Sequence, residues 1–139
     1  MGVDYMAVLV AAVVMFAIGA LWYMVLFAKQ WGEMFGFDKL SKKEQKEMRS
    51  KMGPMMVLQA IVTVMSAYAL AKLIALAPDY SVYKMALVVW LGIMVPVTVS
   101  GVIFGGVEPK WVKRRILIMV SGSLVHTMAA AWVIGMIQK

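Results

Sequence analysis

Residues 6–28 carry no charged side chain, and this run limits what the chain can fold into. As an α-helix they rise about 34 Å, more than the roughly 30 Å of hydrocarbon in a typical bilayer. Three further apolar segments follow along the chain. The pattern predicts four membrane-spanning helices, at about residues 3–28, 54–77, 83–104 and 112–137.

The composition agrees with an all-α integral membrane protein that forms one domain over residues 1–139. The chain is 63% hydrophobic, only 15% of its residues are charged, and its mean hydropathy is +0.85. A soluble domain of this size does not need so apolar a balance for its core. We therefore expect a bundle of four transmembrane helices.

Most of the fourteen lysine and arginine residues fall in two loops. Seven lie between residues 29 and 51, and four lie between residues 110 and 115. Because cytoplasmic loops carry an excess of Lys and Arg, both loops are expected inside a bacterial or archaeal cytoplasmic (inner) membrane, with both termini outside. The N-terminus lacks the basic region and cleavage site of a signal peptide, so the first helix is expected to stay.

The segment between the first two apolar runs, residues 39–52, reads KLSKKEQKEMRSKM. Ser41 with Glu44 three residues later fits a capping box, and the charge spacing favours a helix. We predict a short amphipathic cytoplasmic helix whose basic face binds anionic membrane lipids. The segment is short and mixed in sign, so no nucleic-acid partner is expected.

Aromatic residues cluster where the first helix reaches its cytoplasmic end. Tyr23, Phe27, Trp31 and Phe35 recur every four residues and would form one stripe on a continuous helix. An interfacial belt is the simpler interpretation, and a surface on which a ligand stacks is the alternative. The predicted interfacial anchors are Trp22, Tyr23, Trp31 and Trp111.

Small residues recur every four positions along the second and fourth helices. Such rows let two helix backbones approach closely, within this chain or between copies. They favour a homo-oligomer or a larger membrane complex. The predicted packing residues are Ala67, Ala71, Ala75, Ser123, Thr127, Ala131 and Gly135.

Pro96 lies in the middle of the third helix. Its missing N–H leaves a carbonyl near Gly92 without its usual partner. Thr98, Ser100 or another helix would donate a hydrogen bond to that carbonyl. The proline is either a static kink that improves packing or a hinge beside a substrate site.

The single histidine, His126, falls near the middle of the fourth helix. An ionisable group at this depth is a functional hypothesis by default. It is either a neutral imidazole bonded to nearby polar groups or part of a path for protons or solutes. No cofactor is expected, and haem bound through His126 is the weaker alternative, since no haem-attachment motif is present. The predicted polar path consists of Gln59, Thr63, Ser66, Thr98, Ser100 and His126.

Residues suited to catalysis are scarce. The seven acids fall in loops or at membrane borders, cysteine is absent, and no HExxH, GxSxG or phosphate-binding loop occurs. The fifteen methionines suggest copper(I), but they are scattered along the chain, which favours packing. We expect no enzyme and no metal site.

The chain resembles the small four-helix membrane proteins of domain of unknown function 1761. The resemblance is carried by GALWYMVLFAKQW, by MGPMMVLQAIVTVMSAYALAKLIA and by LVVWLGIMVPVTVSGVIF. The residues that match the family pattern are Trp22, Tyr23, Phe27, Trp31, Gly53, Pro54, Trp90 and Phe104. Asp4 stands where the family commonly has asparagine, and Met24 and Val25 replace a frequent Ser-Pro. The resemblance implies the four-helix fold and no established activity.

Two functional hypotheses follow. The first is a non-enzymatic structural or accessory component of an oligomeric membrane assembly. The second is a small-solute channel or transporter with a polar path near Pro96 and His126. A closely packed apolar interior would exclude the second hypothesis.

Overall fold

The computed structural model describes residues 2–139, and regular secondary structure in this range is entirely helical. Four helices are long and apolar enough to cross a membrane, which indicates a multi-pass membrane protein. We call them the first to fourth spans, and they are Tyr5–Leu26, Gly53–Leu76, Val82–Phe104 and Pro109–Ile137. All bounds lie within one turn of the predicted ones.

The two chain ends lie at one end of the spans, which we call the termini side. Asp4 begins the first span, because its side chain accepts hydrogen bonds from the N–H groups of Met6 and Ala7. Gln138 connects three spans there. Its Oε1 accepts from the N–H of Asp4 at 3.0 Å, and its Nε2 donates to the Ala71 carbonyl at 2.9 Å.

We expect Gln138→Ala to lower the free energy of unfolding by about 1–2 kcal/mol, since each lost hydrogen bond contributes about 0.5–1.5 kcal/mol net. Lys139→Ala is the control, because Lys139 is exposed. Its effect should stay within about 0.5 kcal/mol. Thermal unfolding in detergent measures the stability of both variants. Equal stability of the two would contradict a stabilising role for the Gln138 hydrogen bonds.

Fully buried alanines form the contacts between spans on the termini side. Ala7 and Ala11 of the first span join Ala67 and Ala71 of the second span and Ala131 of the fourth in one apolar cluster. Their small side chains let the backbones approach closely. The first span packs against the second and fourth, and the third packs mainly against the fourth.

Both predicted small-residue rows therefore pack within this chain. Ser123 and Thr127 of the fourth span are buried, and a Cβ on Gly135 would lie 3.2 Å from Val82. Ala75 is partly exposed. The rows no longer provide a separate argument for a second copy, and the oligomer stays a prediction.

Two spans contain a π turn, and each π turn begins at a tryptophan. The first covers Trp22–Leu26 and the second Trp90–Met94. In the third span, the N–H of Val95 reaches back to the Trp90 carbonyl, and Pro96 then occupies the first turn of Val95–Phe104, where no N–H is needed. The backbone stays helical through the proline, and the kink stays a prediction. The hydroxyls of Thr98 and Ser100 make no hydrogen bond to the Gly92 carbonyl in the described residues.

The predicted aromatic stripe is wrong at Phe27. After the first π turn the backbone of Phe27 leaves the helical region, with φ −118° and ψ 20°, before a short helix at Ala28–Met34. Phe27 therefore packs on Trp22, with 5.3 Å between ring centroids. Tyr23, Trp31 and Phe35 keep the stripe, at 4.6 Å and 5.3 Å between successive rings.

The linker between the first two spans, residues 27–52, marks the linker side of the protein. A helix at Lys42–Ser50 begins with the predicted capping box, which is confirmed: the N–H of Ser41 donates to Glu44 Oε2 at 2.8 Å, and Ser41 Oγ accepts from the N–H of Glu44. The Ser41 N–H lowers the pKa of the Glu44 carboxyl. Arg114 donates to Glu33 at 2.8 Å, which ties the linker to the fourth span.

Candidate functional site

A cavity of about 620 Å³ lies between the four spans on the linker side. It reaches from Met15 and His126, near the middle of the spans, to Trp31 and Met52 in the linker. This volume is within the range of pockets that bind small molecules. The alanine cluster packs the opposite, termini half. The alanine cluster and the cavity thus occupy opposite halves of the interior.

Most of the predicted polar path meets in this cavity. Three spans contribute Gln59, Thr63, Ser66, Thr98 and His126 to its walls. Ser100 is exposed and does not line the cavity. It lies two residues beyond Thr98, which turns it about 200° around the helix axis.

Some of these polar groups already have partners. The Thr63 hydroxyl donates to the Gln59 carbonyl at 2.6 Å and accepts from Gln59 Nε2 at 3.3 Å. Ser123 Oγ donates to the Val120 carbonyl at 2.9 Å. The hydroxyls of Ser66 and Thr98 make no side-chain hydrogen bond within the described residues. Those two hydroxyls remain available to a ligand.

His126 belongs to a short chain of hydrogen bonds in the wall. The Thr127 hydroxyl donates to Met94 Sδ at 3.3 Å, and the same oxygen lies 3.5 Å from His126 Nδ1. Thr127 itself is buried. The contact connects the fourth span to the end of the π turn in the third span.

Two tryptophans hold the first and third spans against one stretch of the fourth. Trp22 Nε1 donates to the Ile118 carbonyl at 3.0 Å, and Trp90 Nε1 donates to the Val120 carbonyl at 3.1 Å and to Ser123 Oγ at 3.0 Å. The N–H of Trp22, a predicted interfacial anchor, thus bonds another helix, and its depth in the membrane stays a prediction. Sequence reasoning gave Trp90 no role in a site, although a tryptophan N–H inside a membrane needs a partner.

The other predicted anchors lie at the linker side. Tyr23 and Trp31 line the cavity, so their rings also contribute to a concave surface. Trp111 lies under the guanidinium of Arg114, 4.7 Å from the ring centroid. The Arg115 guanidinium lies 5.6 Å from the Trp31 ring centroid, beside the cavity wall.

Sequence reasoning missed the methionines of the cavity. Methionine is flexible and polarizable, so its side chain adapts to irregular apolar partners. The lining includes no carboxylate and no Lys or Arg, so the walls offer no counter-ion for a charged ligand. Within residues 2–139, no group of three or more His, Cys, Asp or Glu is placed to hold a metal ion. The lining methionines are Met15, Met24, Met52, Met56, Met94 and Met119.

No local signal in the sequence marks these methionines as a group, because they come from separate segments. Only the packing of the four spans brings them together. The resulting site is apolar and polarizable, with a few hydroxyl, amide and imidazole groups. Such a surface suits a small, uncharged, mostly apolar molecule.

Comparison with known proteins agrees with the resemblance seen in the sequence. No curated protein and no solved structure matches the chain. The family model described as Protein of unknown function (DUF1761) matches residues 6–135, which is nearly the whole chain. The chain therefore belongs to the DUF1761 family.

Proposed function

We propose that this protein binds a small, uncharged, largely apolar molecule inside the membrane and carries it between the membrane and one aqueous side. The supporting observation is the convergence of Gln59, Thr63, Ser66, Thr98 and His126 on one cavity of about 620 Å³. A closely packed apolar interior would have opposed this function. The proposal corresponds to the small-solute hypothesis drawn from the sequence.

The closely packed termini half favours a carrier over an open channel. Ala11, Ala71 and Ala131 are fully buried there and belong to one apolar cluster. A ligand would enter and leave on the linker side unless the spans rearrange. The π turn at Trp90–Met94 next to Pro96 borders the cavity and is the natural place for such a movement.

The proposed function is non-enzymatic. His126 is the only imidazole in the chain, and no carboxylate lines the cavity to orient it. The hydroxyl of Ser123, one turn away, donates to the Val120 carbonyl instead of bonding His126. The lining therefore offers surfaces for binding and lacks the pairing of nucleophile and base that covalent catalysis requires.

We further propose that the linker side faces the cytoplasm, in a cytoplasmic membrane with both termini outside. The two basic loops support this orientation. Trp111 with Lys110 and Arg114 at its ring provides an aromatic and basic border of the kind found at headgroup depth. The cavity would then open toward the cytoplasmic leaflet, where the basic loops bind anionic lipids.

A structural or accessory role in a homo-oligomer or larger complex remains the second candidate. The third span favours it, because only 6% of its apolar window is buried within the chain. Either lipid or a partner helix covers that surface. Native mass spectrometry in gentle detergent tests this role, and a purely monomeric population would count against it.

The ligand proposal is tested by extracting small molecules from the purified protein and from two glycine variants. Gly19 lines the cavity, and a Cβ there meets no atom within 4 Å, so Gly19→Phe fills the cavity without an initial clash. Gly92→Phe is the control, because Gly92 has equal space but does not line the cavity. Mass spectrometry of the extracts should show one species in the native protein and in the control.

In Gly19→Phe we expect that species to fall at least about tenfold, which corresponds to about 1.4 kcal/mol of binding free energy. Folding of each variant is checked by helical circular dichroism and thermal unfolding. Identical small-molecule content in all three proteins would overturn the proposed function.

A further inference from the structure

We propose that the cavity selects a ligand with a hydrogen-bond donor, a hydroxyl group, which binds Nε2 of His126 while its apolar part fills the methionine-lined space. The ligand class is a neutral alcohol or phenol with a lipid-like body. This inference rests on the proposed function and specifies its substrate class.

The Thr127 hydroxyl lies between Met94 Sδ and His126 Nδ1. It has a single hydrogen, and it donates that hydrogen to Met94 Sδ, since a thioether sulfur has none to give. When its hydrogen points to the sulfur, the oxygen presents a lone pair to His126 Nδ1, which lies 3.5 Å away. A lone pair faces a ring nitrogen favourably only when that nitrogen carries a hydrogen.

The other ring nitrogen of His126 is Nε2. A charged imidazolium is costly at the middle of a membrane span, and no carboxylate lines the cavity to compensate it. In the neutral ring, a hydrogen on Nδ1 leaves Nε2 without one. Nε2 is then a hydrogen-bond acceptor, and His126 is one of the residues that line the cavity.

As an acceptor, Nε2 needs a hydrogen-bond donor. No side chain of the described residues donates to Nε2: Ser123 Oγ bonds the Val120 carbonyl, Trp90 Nε1 bonds that carbonyl and Ser123, and the Ser66 and Thr98 hydroxyls make no side-chain hydrogen bond. Thr63 donates to the Gln59 carbonyl. A hydroxyl on the molecule that occupies the cavity can donate to Nε2, and it satisfies His126 without bringing a charge into an uncharged lining.

The tautomer is tested directly, because the chain has one histidine and a ¹⁵N-histidine sample gives one imidazole. Nitrogen chemical shifts in detergent should show the hydrogen on Nδ1. Thr127→Val keeps the side-chain shape and removes the hydroxyl, so the population should move toward the form with the hydrogen on Nε2. A native protein with the hydrogen on Nε2 would overturn the inference.

Ligand selection is tested with two photoreactive probes, a diazirine-bearing hexanol and its methyl ether, in which a methyl group replaces the hydroxyl hydrogen. The alcohol should label the cavity residues Met94, Thr98 and Met119 with a half-saturation about threefold to tenfold lower than that of the ether, as one hydrogen bond predicts. In His126→Phe the two probes should label equally. Native protein alone already gives the comparison, so the test does not depend on the folding of the variant.

The outcomes separate the two proposals. Equal saturable labelling by both probes, blocked in Gly19→Phe, would leave the binding cavity in place and overturn the hydroxyl selectivity. Labelling that Gly19→Phe leaves unchanged would overturn the proposed function together with this inference.

Discussion

Ala71→Leu is expected to destabilise the protein by about 3 kcal/mol, at the upper end of the usual cost of overpacking a core. Ala71 is 0% exposed and belongs to the cluster that joins the first, second and fourth spans. Its carbonyl also accepts the hydrogen bond from Gln138. A leucine side chain has no free space there, so it must separate the helices and disturb that bond.

The matched control is Ala69→Leu in the same span. Ala69 is exposed, and it lies two residues away, on a different face of the helix. Its substitution should change stability by no more than about 0.5 kcal/mol. Unfolding by SDS or by heat, measured in the same detergent, compares the stability of the two variants. Similar losses of stability in both variants would mean that the termini half is not closely packed.

The four spans were predictable because their physical cause is local. A membrane helix needs a run of apolar residues about 20 long, and residues 6–28 meet that requirement whatever the rest of the chain does. The capping box at Ser41 and Glu44 is local in the same way, since the two side chains bond backbone groups three residues apart. The structure contains four long apolar helices and the capping box.

The cavity was only partly predictable, because it depends on which helix faces meet. Sequence reasoning selected polar residues by their depth, and for Thr98 and His126 depth was enough to place them in the right region. It did not distinguish Thr98 from Ser100, which lie at nearly the same depth on different faces. It also gave the methionines only a packing role, since Met15, Met94 and Met119 are far apart in the chain and meet only after the spans pack.

The π turns could not be predicted from the sequence, for a related reason. A π turn adds a residue to one helical turn, and this costs hydrogen-bond geometry that tertiary contacts must compensate. Here the compensation is visible in the indole groups of Trp22 and Trp90, which reach carbonyls on the fourth span. Neither bond is implied by the spacing of residues within its own helix. The displaced position of Phe27 follows from the first of these turns.

Gly122→Ala is expected to destabilise the protein by about 1–3 kcal/mol and to weaken the cavity. A Cβ on Gly122 would lie 2.7 Å from Trp22 Cδ1 and 3.0 Å from Trp22 Nε1. The indole must then move away, and it loses its bond to the Ile118 carbonyl. Since Gly19 and Tyr23 of the same span line the cavity, its shape should change with the indole. Unfolding in detergent measures the stability, and tryptophan fluorescence reports the altered ring environment.

Gly101→Ala separates the effect of Trp22 from the effect of helix propensity. Gly101 lies in the third span, and a Cβ there meets no atom within 4 Å. Alanine is a better helix former than glycine by about 1 kcal/mol, so propensity alone predicts a stabilisation at both positions. The two substitutions should therefore change stability in opposite directions. A gain of stability in Gly122→Ala would mean that the Trp22 indole does not occupy the space next to Gly122. The first span would then contact the fourth through other residues.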